Sequence, residues 1–378
     1  MVIVPKPEEL LGQERLVAHF GALLQAKQLP HALLLTGEEG SEALPLAFVL
    51  SRQILCENRT EEGLPCGVCQ SCRQMDGLQH PDLTMVFPVI KSGDTKETTS
   101  DLYLDQFTQL MSKAKRFSEL EWRDLQSAGN KQLQILVAEA ERLIHFTSLR
   151  SFKSQYQVII IWKPELMRSE TANKLLKLLE EPPAGVVFVM VSHEPQKLLS
   201  TIASRLQRVT VPGIPEEVLV DYLIAKEGIE TEKAMKIGHL AQGNLYRALQ
   251  LEQNGGEVHS QNDALQLLSL PLCRDPKVFL EYAQEVAKLD RPEVVALLDA
   301  LPPALREVLA LQYGDHDVQF LSSALGREAQ AIAAALPLDN YSKVMEEIQS
   351  ARMEVVQNGN VQMVVFDFLL TLITLYRR

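Results

Sequence analysis

Several short apolar runs that do not alternate with polar residues constrain the fold most. Gln157–Trp162 reads QVIIIW and Val186–Ser192 reads VVFVMVS. A strand with one wet face alternates; an uninterrupted run suits a strand buried on both faces, as in a parallel sheet covered by helices. Ala32–Thr36, Leu83–Phe87 and Leu206–Val211 are further candidate strands. Between them lie amphipathic stretches. Leu133, Leu136, Ala140, Leu143 and Ile144 recur at helical spacing, as do Leu175, Leu176, Leu178 and Leu179 ahead of Pro182 and Pro183, which end that helix. An α/β domain over residues 1–212 is expected.

Lys91–Lys131 departs from this pattern. It contains SGDTKETTSD and only weak helical periodicity after Leu102, so it reads as an insertion or long excursion. Composition shifts at Val211-Pro212-Gly213. Three short helical patterns follow, Pro215–Glu227, Glu232–Ala241 and Leu245–Gln253, before the breaker Asn254-Gly255-Gly256. Residues 257–378 read as helical, with Pro-containing turns at Leu301-Pro302-Pro303 and a break at Asn358-Gly359-Asn360. The expected layout is an α/β domain (1–212), a small helical domain (213–256) and a larger helical domain (257–378). The 378 residues fit two to three domains of about 150 residues each.

Cys56, Cys66, Cys69 and Cys72 are spaced C-x9-C-x2-C-x2-C, the last three inside PCGVCQSC. A two-residue gap turns two thiolates toward one ion, and Gly67 eases the backbone. Four thiolates close a tetrahedral shell and leave no position for water, so the expected metal is one structural zinc, with an iron–sulfur cluster or four unrelated thiols as the other readings. Cys273 is isolated and reads as an ordinary residue.

The chain carries 37 basic and 49 acidic side chains, net −12, and neither residues 1–256 nor 257–378 is basic. A protein that gripped DNA by itself through phosphate neutralisation would show a large basic excess, so any nucleic-acid role is shared with partners. One stretch is locally basic. Residues 142–177 hold Arg142, Arg150, Lys153, Lys163, Arg168, Lys174 and Lys177 against Glu165 and Glu170, which could face a duplex, an acidic partner or simply solvent. The N-terminus lacks the basic and apolar regions of a signal peptide, so a cytoplasmic location is expected. The apolar run Val361–Tyr376 is short for a membrane span and carries Gln362, Asp367 and Thr371; it reads as a buried terminal helix.

After the strand Ala32–Thr36 comes Gly37-Glu38-Glu39-Gly40-Ser41-Glu42-Ala43-Leu44. The place suits a phosphate-binding loop, which needs glycines to let backbone N–H groups cradle phosphate, a lysine to reach the β- and γ-phosphates, and a hydroxyl for magnesium. Against G-x-x-x-x-G-K-[ST], Gly37 matches. Glu42 stands for the second glycine, Ala43 for the lysine and Leu44 for the hydroxyl. Glu38, Glu39 and Glu42 add negative charge where phosphate would lie. Taken alone, the segment could also be a polar turn. The strand over Val158–Ile161 should end in acidic residues that hold magnesium; it ends in Trp162-Lys163-Pro164 before Glu165.

Several segments in order resemble the clamp-loader branch of the AAA+ family: LLGQERL at 10–16, LPHALLLTG at 29–37, PCGVCQSC at 65–72, HPDL at 80–83, ANKLLKLLEEPP at 172–183, and Ser204-Arg205-Leu206, where Leu206 replaces the family's Cys. Tyr246 falls where active members place a sensor arginine, with Arg247 one position late. Every departure removes nucleotide chemistry and none removes the fold.

The resemblance implies an AAA+ α/β domain with an inserted zinc module at about 56–72, a three-helix lid and a helical collar. It implies a subunit of a five-membered ring that loads a sliding clamp onto primer–template DNA. The family's motor (gamma/tau) and delta subunits would be partners through the collar, and no membrane would be involved. The subunit would have no functional ATP site of its own. Arg205, beside Ser204, would act in trans on a neighbour's ATP. Three other readings remain in play: an ATP-hydrolysing motor of the same fold; a zinc enzyme such as a deaminase, which would need an H-x-E context the cysteines lack; and a freestanding DNA-binding scaffold, which the charge disfavours.

Overall fold

In the computed structural model, which describes residues 4–91, 98–126, 131–253, 259–312, 323–356 and 359–376, the apolar runs lie side by side in one sheet. The strands are β1 (Ala32–Thr36), β2 (Leu83–Val86), β5 (Gln157–Trp162), β6 (Val186–Ser192) and β7 (Gln207–Thr210), in the order β2-β5-β6-β1-β7. All pairs are parallel, with Leu83 opposite Val158, Gln157 opposite Val186, Ala32 opposite Phe188 and Leu33 opposite Gln207. A separate antiparallel pair joins β3 (Val89–Ile90) to β4 (Leu133–Gln134). β1, β5 and β6 are buried along their whole length, as the unalternating runs require.

Successive side chains leave a strand on opposite faces, so each run feeds two cores. Leu33, Leu35, Val158, Ile160, Val187 and Val189 pack with α1 (Glu14–Gln25) and α2 (Ala43–Leu55). Leu34, Ile159, Ile161, Phe188 and Met190 pack with α6 (Val137–Ser148), α7 (Ser169–Glu180) and the short α8 (Ser200–Ala203). The α7 helix ends before Pro182 and Pro183, as expected. Leu133 lies in β4 rather than in α6, which starts at Val137.

The segment read as a loose excursion is different in its described part. Residues 98–126 form α4 (Leu104–Lys113) and α5 (Glu119–Leu125), after α3 (Gln70–Asp76), and join the first core. Phe107, Leu110 and Met111 recur at i, i+3, i+4 and are buried, with Phe117 and Trp122. Phe107 stacks on Phe87 at 4.3 Å, and Trp122 meets both rings edge-on. The Trp122 Nε1–H donates to Pro88 O at 2.8 Å, and a Ser118/Glu121 capping box starts α5. The polar start of the excursion, Ser92–Glu97, lies outside the described residues.

The chain divides into two compact units, residues 1–250 and 251–378. The first includes α9 (Glu216–Ala225), α10 (Thr231–Ala241) and most of α11 (Leu245–Gln253), the three short helices expected after residue 213. The breaker Asn254-Gly255-Gly256 lies outside the described residues.

The second unit, as described, is helical: α12 (His259–Ser269), α13 (Pro276–Val286), α14 (Arg291–Gln312), α15 (Ser323–Ala335), α16 (Tyr341–Val356) and α17 (Val361–Leu375). Its core includes Leu268, Phe279, Leu298, Ile332, Ile348 and Phe368. Pro302 and Pro303, expected to turn the chain, instead lie within α14, whose flanking Leu301, Ala304, Leu305 and Val308 are buried. Burial of that face holds the helix together across two missing N–H donors. The apolar C-terminal run forms α17, capped by Asn360, and buries Val364, Val365, Phe368, Leu369 and Leu372. No helix among the described residues is long and apolar enough to cross a membrane.

If the 98–126 segment is core, truncating its central ring will be expensive. Trp122→Ala should lower unfolding free energy by about 3–5 kcal/mol, the usual cost of deleting a buried aromatic. Urea denaturation of the full chain measures it; a loss below about 1 kcal/mol would return the segment to the status of a surface excursion.

Candidate functional site

The loop between β1 and α2 is where the chemistry would be expected. Gly37 follows β1, and Glu42 is the N-cap of α2, whose first two residues are Ala43 and Leu44. Both apolar side chains are buried, so the lysine and hydroxyl positions of a phosphate loop are packed inward as hydrocarbon. Gly40 has φ +75°, and a Cβ there would lie 2.6 Å from the Tyr246 ring. Glycine is thus needed both for the backbone turn and for the approach of α11. Asn244 donates from Nδ2 to Glu39 O at 2.8 Å, and Tyr246 donates from its hydroxyl to Ser118 Oγ at 3.2 Å.

The loop carboxylates are neutralised from within the chain. Glu42 is only 1 % exposed, and its two oxygens accept from Arg116, Oε1 from Nε at 2.5 Å and Oε2 from a terminal nitrogen at 2.8 Å. The same guanidinium donates to Glu9 O at 2.8 Å. Glu39 Oε1 lies 2.9 Å from Lys163 Nζ and accepts the Glu119 N–H at 2.8 Å; Glu119 Oε2 is 2.5 Å from the same ammonium. Lys163 is held in the left-handed region, φ 55°, at the end of β5, and sits 5.8 Å from the centre of the Trp162 ring. The strand end that would carry magnesium-binding acids therefore carries a buried cation facing the loop.

Burial works against the charge on both partners of the Glu39–Lys163 pair, and the attraction between them more than offsets it. The Glu39 carboxyl is lowered and the Lys163 ammonium raised from their ordinary values. His193 closes the site. Trp162 Nε1–H donates to His193 Nε2 at 3.2 Å, and His193 Nδ1 is 3.0 Å from Gly37 O, so the neutral ring with the proton on Nδ1 satisfies both contacts. Burial, and then the nearby Lys163, push its pKa below the ordinary value.

The four clustered cysteines come together. Cys56 caps the C-terminus of α2, and Cys69 caps the N-terminus of α3. Their Sγ atoms all lie within 4.8 Å of one another, with Cys56 at 3.6 Å from Cys66 and 3.9 Å from Cys69. A tetrahedral ion bound at about 2.3 Å sets sulfurs about 3.8 Å apart, so the set could hold one metal ion. Backbone N–H groups of Cys66, Cys69 and Cys72 each point at a cluster sulfur, at 3.3 to 3.4 Å. Gly67 turns with φ +72° and open space around it. A hydrogen bond from Cys72 is the main cause that brings Cys56 down to about 5. Behind the cluster, Arg52 is buried against Asp76 and donates to Cys72 O, while Ser71 binds both Glu57 and His80. Cys273 belongs to the second unit and is exposed.

Ser204 and Arg205 follow α8 and precede the edge strand β7. Arg205 pairs with Glu180 at the end of α7 and donates to Thr201 O at 2.5 Å. The seven basic residues of 142–177 do not form one face. Lys163 is buried in the loop site, Arg142 binds Glu139, Asp101 and the backbone of Met85, Lys174 pairs with Glu141 and half-buried Lys153 donates to Gln74 Oε1 at 3.4 Å, leaving Arg150, Arg168 and Lys177 among the exposed residues.

Sequence reading missed Arg116 and Glu119, because their partners are 74 and 80 residues away and nothing local marks them. It also left HPDL without a role. Asp82 accepts N–H groups from Phe152, Lys153 and Ser154, fixing the turn that precedes β5.

A family model described as "DNA polymerase III, delta subunit" matches residues 12–215. DNA polymerase III subunit delta′ of Bacillus subtilis is 25 % identical over 296 residues, covering 78 % of this chain and 76 % of that one. The Escherichia coli delta′ subunit is 24 % identical over 362 residues, covering 94 % and 92 %. DNA polymerase III subunit tau of Escherichia coli is 24 % identical over 341 residues, covering 86 % of this chain and 46 % of that protein.

The buried histidine gives the site a pH signature. Unfolded, His193 titrates near its ordinary value of about 6.5; folded, it resists the proton. The unfolded state then binds more protons below that pH. Its contribution to stability is complete above about 6.5 and declines as pH falls toward the folded value, by up to about 1.4 kcal/mol per pH unit. Urea unfolding between pH 5 and 8 should show His193→Gln with a shallower acid decline than the parent. Parallel profiles would contradict a buried neutral ring.

Proposed function

The chain belongs to the family described as DNA polymerase III, delta subunit, and from that premise we propose that it serves as the non-hydrolysing, delta′-type subunit of the bacterial clamp loader. In this reading it supports ATP-dependent loading of the sliding clamp onto primed DNA without turning over ATP itself. The observation that carries it is the loop site. Ala43 and Leu44 are buried where lysine and hydroxyl would be required, and Glu42 is engaged by Arg116. Likeness to tau keeps a motor reading as the alternative, but the cation Lys163 at the strand end cannot hold magnesium.

The reading divides the chain into an AAA+ α/β domain (1–212), a lid (213–256) and a collar (257–378) that joins it to gamma/tau and delta subunits. Clamp and primer–template DNA are met through the assembly. The cysteine cluster is assigned one structural zinc. A closed set of four thiolates supplies folding free energy and no water-activating chemistry.

Arg205 is assigned to a neighbour's ATP. A guanidinium stays charged and presents a planar fork to phosphate oxygens, and such a finger is worth about 10³–10⁵ in rate. Its present partner, Glu180, is a half-exposed carboxylate on the same chain. Engagement would exchange one anion for another, so the finger would be parked until a phosphate displaces Glu180.

Two measurements test these assignments. Metal analysis of the reduced, metal-replete protein should give one zinc per chain, and Cys72→Ser should lower it; a metal-free protein would remove the assignment. The isolated chain should show no ATP turnover. Reconstituted with motor and delta subunits, Arg205→Ala should assemble and keep its zinc yet lose at least about tenfold in ATP-dependent clamp loading, with Arg205→Lys restoring little. Turnover by the isolated chain would reject the stator role, and wild-type loading by Arg205→Ala would reject the finger.

A further inference from the structure

The internal charges of the loop site do more than disable it. Two carboxylates of the phosphate loop meet two cations brought from elsewhere: Arg116 from the stretch between α4 and α5, and Lys163 from the end of β5. Both cations are largely buried, with side chains 10 % and 7 % exposed. The Glu42–Arg116 contact is bidentate, the geometry by which a guanidinium grips a carboxylate or a phosphate. Around it the loop is tied to the 98–126 segment through Glu119 and to the lid helix α11 through Asn244 and Tyr246, and Tyr246 in turn reaches Ser118. Loop, segment and lid thus converge on one ion-pair cluster. In an active site of this architecture the bound phosphates would be the anions at that point.

We propose that Glu39 and Glu42 act as a built-in oxyanion ligand, occupying the place of nucleotide phosphates and latching the 98–126 segment and the lid helix onto the phosphate loop without any nucleotide. The proposal rests on the non-hydrolysing reading and adds to it a ligand and a conformational consequence. With Glu119 included, the cluster holds three carboxylates against two cations, so the native site carries net negative charge and rejects phosphate. Replacing Glu39 and Glu42 by glutamine leaves one carboxylate against two cations. That inverts the sign and opens a site for a phosphate-type anion of the size of pyrophosphate.

The test uses the full chain and inorganic pyrophosphate as the probe, with hydrogen exchange as the readout. In the Glu39→Gln/Glu42→Gln variant, amides of 104–125 and 245–250 should exchange at least about tenfold faster than in the parent, while β5 and β6 keep parental protection. Millimolar pyrophosphate should restore slow exchange in the variant and do nothing to the parent. In a second variant, Glu42→Leu/Arg116→Met, one cation is gone and pyrophosphate should have no effect. If the double-glutamine variant loses sheet protection, Glu39→Gln alone still tests the latch through faster exchange of the same amides, because Glu39 is the more exposed of the pair. Parental exchange in the folded variant, an increase that pyrophosphate does not reverse, or pyrophosphate binding by the parent would each overturn the proposal. ATP turnover by the parent chain would instead sink the reading on which it rests, so the two failures are distinguishable.

Discussion

A carboxylate almost sealed from water must be matched by a cation, or it will protonate or unfold its surroundings. Glu42 is such a group, and its match is Arg116. Removing one partner of a buried pair costs about 3–5 kcal/mol, so this contact fixes where the stretch between α4 and α5 must lie. Once Arg116 is placed, Phe107, Phe117 and Trp122 fall against Phe87 and Trp162, and the ring cluster extends the first core to the end of β5. Lys163 then stands beside the loop with Glu39 and Glu119. Electrostatic need and apolar packing thus specify the same position for one segment.

The sheet itself was legible because its signal is local. Three strands buried on both faces cannot hide in the sequence, and β1, β5 and β6 begin and end where the apolar runs do. β7 is less well marked; it is an edge strand with mostly exposed side chains, and its bounds shrink to Gln207–Thr210. The cysteine cluster was legible for the same reason, since three of its four members sit within seven residues.

What could not be read was set by distance or by competition. Residues 98–126 looked polar because charged side chains dilute the i, i+3, i+4 spacing of Phe107, Leu110 and Met111; only the aromatic partners Phe87, just after β2, and Trp162, in β5, reveal that face as core. Pro302 and Pro303 predicted a turn, yet burial of Leu301, Ala304 and Leu305 outweighed the two lost hydrogen bonds. The glutamates of the loop were identified as hostile to phosphate, but their partners lie dozens of residues downstream and carry no pattern of their own. Part of the basic stretch behaves conversely: neighbours in sequence, Arg142, Lys163 and Lys174 turn to different carboxylates in space.

One element joins the two unusual sites. The α2 helix starts at Glu42's cap and ends at Cys56, and all thirteen of its residues are buried. At 1.5 Å per residue it is a rod of about 20 Å, pinned at one end by an ion pair and at the other by a thiol cluster. A fully enclosed strut has no wet face along which to slide or fray, so stress applied at either end has nowhere to dissipate between them. Disturbing the thiols would loosen one anchor of the same rod that carries the Glu39–Glu42 loop. The state of the cysteines is thereby mechanically continuous with the loop between β1 and α2.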